Sequence, residues 1–301
     1  MILNPYSWTK VASIIFLDFP VGIGFSYART PAALQSSDLQ ASDHAYQVLR
    51  KGYILGNPST FEGEKNYEIP FAYGMGLISD ELYESLKANC KGEYLNIDPS
   101  NTLCLQDVQT FHPQGINNPH ILEPKCKRYS PRPHQLFGQR RSLDEKFHEL
   151  NNLQQLPALK CRTDWYKLSY HWADDGQVRD ALNIRKGTIG KWERCATLCW
   201  KLAFGGEMRP PIFDELNTSV PGDHDKAVTF QSTKAWIKSL NYYVINDWRP
   251  WTVDNQVACY TRSYSNWMTF ATVKGAGHTA PEYKPRECLA MLKRWMSYKP
   301  L

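Results

Sequence analysis

An α/β fold is what this sequence predicts, and three features predict it. Two short apolar runs of strand length, residues 12–17 and 52–56, lie near a segment with helical character at residues 38–51. The far end of the chain repeats the alternation. Residues 257–264 and 268–273 read as a strand pair across Ser265-Asn266, and residues 285–298 place Leu289, Leu292 and Trp295 on one helix face. Between that last strand and last helix lies Gly275-Ala276-Gly277-His278-Thr279-Ala280-Pro281, a glycine-rich loop able to hold a histidine ring open to a cleft.

The elements follow in order. Residues 12–17 (Ala-Ser-Ile-Ile-Phe-Leu) predict a buried strand running into a glycine-punctuated turn, Asp18-Phe19-Pro20-Val21-Gly22-Ile23-Gly24-Phe25. Residues 38–51 predict a helix, with Ser36 or Ser37 as its cap. Residues 52–56 (Gly-Tyr-Ile-Leu-Gly) predict a second buried strand, closed by Asn57-Pro58. Lys51 runs directly into Gly52, whereas connections from helix to strand use about two to six residues. Residues 67–90 turn helical in their second half, through Leu82, Tyr83 and Leu86. Residues 111–158, rich in Pro, Asn, Arg and Gln, predict a long exposed excursion with a polar helix at 142–153. Residues 164–182 resume amphipathic helix through Trp172, Val178 and Leu182; residues 196–221 show no clear element; residues 233–240 predict a short helix.

Composition narrows the function classes. With 301 residues, 42% hydrophobic and 13% aromatic, the chain can bury a sizeable core. A net charge of +5 spread along the chain excludes a strong nucleic-acid signature, and the basic run Lys125, Lys127, Arg128, Arg132, Arg140 and Arg141 is dotted with Pro131 and Pro133, as in an exposed, protease-sensitive loop. No stretch approaches the roughly eighteen apolar residues of a membrane span, and the N-terminus does not read as a signal peptide. The eight cysteines form no paired CxxC knuckles, and Cys195 with Cys199 is a lone pair, so neither metal nor cofactor is expected. Cys90 and Cys104 bracket a short polar segment suited to a local disulfide, and Asn217-Thr218-Ser219 is a glycosylation sequon. Both favour an oxidising compartment.

Two motifs carry chemistry. His278 suits a general base; the alternative is a loop histidine without consequence. Upstream, Gly222-Asp223-His224-Asp225 offers an acid that would fix the imidazole tautomer and stabilise the imidazolium; the alternative is a polar turn with Asp225 as a helix cap. Acid before base is the chain order of α/β-hydrolase triads, whose serine sits on a strand-to-helix elbow within G-x-S-x-G. No such elbow is present. Gly24-Phe25-Ser26-Tyr27-Ala28 comes nearest, with alanine at the final glycine and Arg29-Thr30-Pro31 where a helix should begin, so Ser26 is a weak nucleophile candidate.

These residues resemble the plant serine carboxypeptidase-like proteins, which include carboxypeptidases and glucose-ester-dependent acyltransferases. The resemblance rests on Asn4-Pro5-Tyr6-Ser7-Trp8 through Ser26-Tyr27, on Gly52-Tyr53-Ile54-Leu55-Gly56-Asn57-Pro58, on Leu168-Ser169-Tyr170-His171-Trp172 through Trp192 to Cys195, and on the acid and base motifs. Leu240-Asn241-Tyr242 with Asp247-Trp248-Arg249-Pro250-Trp251 is similar to the acyltransferase-containing branch. The resemblance implies an α/β-hydrolase core with a helical cap insertion. Residues 1–60 would be the first part of the core, 61–165 the cap insertion and exposed linker, and 166–301 the remainder of the core. It implies Asp225 and His278 as triad acid and base, disulfides Cys90–Cys104 and Cys126–Cys161, a secreted or vacuolar setting, and a peptide or a glucose ester as substrate; the sequon at Asn217 and the composition add an expected glycan there, with no nucleic acid and no membrane as partners.

The departures from the family pattern shape the expectation. The N-terminal segment with the Asn-Gly-Gly-Pro-Gly oxyanion loop has no counterpart, and a few tens of family residues are missing at Lys51 to Gly52, where the nucleophile strand and its elbow belong. The polar, proline-terminated stretch 216–221 stands where the family has a buried strand, which calls the presentation of Asp225 into question. The core is therefore expected to be incomplete and poorly stable, since each unpaired buried backbone group costs about 1–3 kcal/mol against a total stability of about 5–15 kcal/mol. The chain is expected to be non-catalytic as written; the alternatives are a binding protein or an active enzyme using Ser26.

Overall fold

The computed structural model describes residues 3–14, 18, 21, 24–30, 53–111, 115–125, 162–192 and 217–301, which fall into two compact units. The first unit, residues 1–15, 46–125 and 206–301, holds the sheet. Its strands are β1 (Tyr53–Leu55), β2 (Asn217–Ser219), β3 (Val244–Val253), β4 (Gln256–Tyr264) and β5 (Met268–Ala271), in the spatial order β1-β2-β5-β4-β3. The first three neighbours in space run parallel, Tyr53 opposite Asn217 and Asn217 opposite Met268; β4 is antiparallel to both β5 and β3.

Stretch 217–219 is a strand despite its polarity. It is paired on both edges, Ser219 is fully buried, and the pairing continues past it, where Val273 N–H donates to Pro221 C=O at 3.1 Å. Proline needs only its carbonyl there, so it ends the ladder without leaving an orphan donor. The sequon Asn217-Thr218-Ser219 consequently lies within a strand paired on both sides.

Helices cover the sheet where their apolar stripes allow. The helix α6 (Phe230–Ser239), capped by Thr229 Oγ1 accepting from Ser232 N at 3.2 Å, buries Trp236 and Ile237 against Tyr264, Met268 and Phe270. The helix α8 (Pro285–Met296), preceded by the single turn α7 (Ala280–Tyr283), buries Cys288 and Met291 against Trp251, Val253 and Val273. The anchor of that cluster, Trp251, also donates its Nε1–H to Thr272 C=O at 2.9 Å. Strand β3, which carries Trp251, has no counterpart in the sequence reading: most of its side chains are exposed, and Pro250 and three register shifts interrupt its pattern.

A third cluster is made by α1 (Glu68–Gly74), α2 (Asp80–Cys90) and α3 (Thr102–Thr110) around Ile69, Leu86, Tyr94 and Phe111. Ser79 caps α2 at one end, and Lys91 closes it at φ 52°. Cys90 and Cys104 join the two helices in a disulfide across 14 residues of sequence.

The second unit, residues 16–45 and 126–205, contains α4 (Arg162–Asp174) and α5 (Gly176–Ala181). The single helix expected over 164–182 is broken because extended Asp175 turns to cap α5, accepting from Gln177 N at 2.9 Å and Val178 N at 3.1 Å. Arg179 ties the break together by donating to Ala173 C=O, Asp174 Oδ1 and Gly190 C=O. Residues 12–14 carry no strand. The rest of that run, the helix expected at 38–51, the polar helix at 142–153, most of the basic run, and Cys126, Cys161, Cys195 and Cys199 lie outside the described residues.

Replacing Cys90 and Cys104 together by alanine is expected to remove about 3 kcal/mol, the loop-closure term for a loop near this length. The loss should appear as faster amide exchange confined to α2 and α3; an unchanged exchange pattern there would refute a stabilising role.

Candidate active site

Three parallel neighbours end at the same edge of the sheet, and each is followed by a polar residue of one cluster. After β1 comes Asn57, after β2 the turn Gly222-Asp223-His224-Asp225, and after β5 the loop bearing His278. Adjacent strand ends bring together side chains separated by 53 and 168 residues in sequence. Glycine is required at two close approaches: a Cβ on Gly222 would land on the carbonyls of Ala276 and Gly277, and one on Gly277 on Pro119 C=O and the His120 side chain.

At the centre is Asp225, with no solvent exposure. Its Oδ2 lies 2.8 Å from His278 Nδ1 and accepts from Asn57 Nδ2 at 2.6 Å. Its Oδ1 accepts from the backbone N–H of Ala227 at 2.8 Å and of Val228 at 3.3 Å. Asn57 also accepts from Gly222 N at 3.1 Å through Oδ1, so one amide grips both ends of the acid turn. With Nδ1 turned to the carboxylate, the remaining ring nitrogen, Nε2, is the one available to exchange a proton, on a side chain that is 41% exposed. The hydrogen bond to Asp225 raises the His278 pKa above the ordinary histidine value, against the effect of burial, and the charges of Asp225 and Glu64 act in the same direction. Glu64 is itself buried and held by Ser59 Oγ at 2.6 Å and Thr60 N at 3.0 Å.

Asp225 and His278, named from the sequence, thus meet in the structure, and the polarity of β2 does not displace the acid. From the sequence Asn57 has a place, closing the strand at 52–56, but no role. Its signal was local: asparagine tolerates the left-handed backbone it adopts, φ 47°, just past a strand.

Ser26 stands in a different setting. Its Oγ–H donates to Asp18 C=O, while Asp18 Oδ2 accepts from Phe25 N at 2.7 Å, across a turn that Gly24 makes at φ 58°. Residues 24–30 hold a turn at 24–25 and a bend at 29–30, without the helix that a nucleophile elbow requires. Among the described residues no hydroxyl bonds His278, no group of three potential ligands could hold a metal ion, and no helix is long and apolar enough to cross a membrane.

Comparison with known proteins bears on this geometry. The family profile described as serine carboxypeptidase matches residues 1–51 and 50–298, two segments that meet at the Lys51–Gly52 junction. From Arabidopsis thaliana, "Serine carboxypeptidase-like 10" is 41% identical over 98% of this chain and 75% of its own length, and "Serine carboxypeptidase-like 11" is 40% identical over 100% and 76%. The first of these alignments runs over 354 positions against a chain of 301, so the relative holds residues that this chain lacks. A crystal structure of a prohormone-processing carboxypeptidase from Saccharomyces cerevisiae superposes with a TM-score of 0.60 at 14% identity, over 99% of this chain and 76% of that one. It shares the α/β-hydrolase fold.

Because the His278 pKa is raised on folding, its stabilising contribution is fully present below the unfolded-state value, about 6.5, and is lost as pH rises through the folded midpoint. In NMR titrations the His278 ring should titrate above that value, and Asp225→Asn should bring it down, leaving burial as the dominant influence. An unmoved midpoint in Asp225→Asn would contradict the pairing.

Asn57→Ala removes three amide contacts, to Asp225, to Val228 C=O and from Gly222 N, and puts alanine at a positive φ. It is expected to destabilise by about 1–3 kcal/mol in denaturant unfolding, the cost of orphaning buried polar groups.

Proposed function

The chain belongs to the serine carboxypeptidase family, and from that premise we propose that it carries the acid and base of the family's triad, Asp225 and His278, without the serine they serve. The observation that carries this reading is the contact of buried Asp225 with His278 at the end of β2 and β5, taken together with the break in the family match at the junction before β1. The missing stretch is where the family places the nucleophile strand and its elbow.

In the complete reaction an acid–base pair of this geometry has a defined task. His278 Nε2 would take the proton of a serine hydroxyl as that oxygen attacks a carbonyl, and the buried Asp225 would stabilise the imidazolium without itself taking the proton. The imidazolium would then protonate the departing amine or sugar oxygen as its bond to the carbonyl carbon breaks, and the resulting serine ester would pass its acyl group to water, giving carboxypeptidase action, or to an alcohol, giving acyl transfer. A peptide is the substrate class for the first outcome and a glucose ester for the second; the similarity of residues 240–251 to the acyltransferase-containing branch supports the second. A secreted or vacuolar setting fits the disulfide between α2 and α3. Without the nucleophile neither acyl transfer can begin, so the chain as written is a non-catalytic member of the family.

Ser26 is not a substitute, because its hydroxyl is spent on Asp18 and the described residues that follow it, 27–30, form no helix. A fluorophosphonate probe, which reacts covalently with activated serines, should therefore leave the purified chain unlabelled, and Ser26→Ala should give the same blank result. Stoichiometric labelling that His278→Ala abolishes would overturn the proposal, and its additional loss in Ser26→Ala would identify Ser26 as the nucleophile.

A further inference from the structure

Beside the Asp225–His278 contact lies a second aspartate–histidine pair that the acid–base reading leaves unused. Asp223 Oδ1 accepts from the backbone N–H of Gly275 at 2.6 Å and lies 2.6 Å from His224 Nδ1. Gly275 opens the loop that carries His278 and adopts φ 70° to do so. One carboxylate oxygen therefore spans 52 residues of sequence and fastens the acid turn to the base loop.

The rest of His224 extends the connection. Its backbone N–H donates to Ala276 C=O at 2.9 Å, its C=O accepts from Ile121 N at 3.1 Å, and its ring lies over that of His120 at 5.7 Å. A strap formed by residues 117–121 then crosses both loops. Asn118 C=O accepts from Lys226 N at 2.8 Å and Ala227 N at 3.1 Å, and Pro119 C=O accepts from His278 N at 2.7 Å.

Such a latch answers a physical need. The base loop holds two glycines within three residues, and glycine loses more backbone freedom on ordering than any other residue. An acid and base must nevertheless be held within about 0.5 Å of their working geometry. The His278–Asp225 hydrogen bond alone fixes only the ring; the loop beneath it needs backbone anchors.

We propose that Asp223 is a positioning residue, whose carboxylate holds Gly275 N–H and the His224 ring so that the loop of His278 stays in register with Asp225. The proposal rests on the assignment of Asp225 and His278 as acid and base. It concerns how the pair is held, so it is testable whether or not the chain turns over a substrate.

The test is an NMR titration of the His278 ring in the isotopically labelled full chain, in the wild type and in two variants. Asp223→Asn keeps an oxygen acceptor for Gly275 N–H but removes the charge; Asp223→Ala removes both. Expected are a raised midpoint in the wild type, its retention in Asp223→Asn, and a fall of at least about half a pH unit in Asp223→Ala. Equal falls in both variants would assign the effect to charge and overturn the positioning role, as would no fall in Asp223→Ala.

Should Asp223→Ala fail to fold, hydrogen exchange of the Gly275 amide in the unsubstituted chain decides. Protection of at least about tenfold over an unstructured glycine supports the latch, and exchange at the unstructured rate overturns it. A wild-type His278 titrating at the ordinary value would instead sink the acid–base assignment itself, and the positioning role with it.

Discussion

A carboxylate with no access to water is the constraint around which this structure is arranged. Asp225 is removed from solvent entirely, and a buried charge is tolerated only where its oxygens are occupied by hydrogen bonds. Four groups occupy them, and only two, the amides of Ala227 and Val228, come from its own turn. The other two, Asn57 and His278, arrive from strands on either side of β2. Removing either neighbour would leave the carboxylate under-satisfied, so the parallel order β1-β2-β5 and the polar cluster at its end require one another.

That dependence explains why β2 survives its own sequence. Three residues, all polar, make a poor strand by propensity, yet pairing on both edges supplies backbone partners that propensity does not. On one side β2 lies against β5, which buries Met268, Phe270 and Ala271; on the other lies β1, which is paired only with β2 among the described residues. The family match divides just before β1, while the contacts made by Asp225 draw on strands and loops that this chain retains.

Several features were legible in the linear chain because they depend on neighbours in sequence. The glycine spacing around His278, the GDxD turn, the helices expected at residues 233–240 and 285–298, found at 230–239 and 285–296, and the strand pair expected at 257–264 and 268–273, found at 256–264 and 268–271, all declare themselves locally. The abrupt passage from Lys51 to Gly52 was also visible from connection length alone, and the family match divides at that point. Less legible were β3, whose exposed side chains and bulges hide its period, and the break of the 164–182 helix at Asp175, which depends on a cap that competes with helix continuation.

By itself, then, the sequence determined the class of fold, the identity of the acid and base candidates and the place where the chain departs from its family, since each is written in residue type and spacing. Tertiary structure alone decided that Asp225 is buried, that Asn57 from a distant strand completes its shell, that Asp223 reaches the loop of His278, and that Ser26 spends its hydroxyl on Asp18. These are contacts across a sheet edge or a turn, set by strand order and register, and no local pattern of residues encodes which distant side chain will fill a buried hydrogen-bonding site.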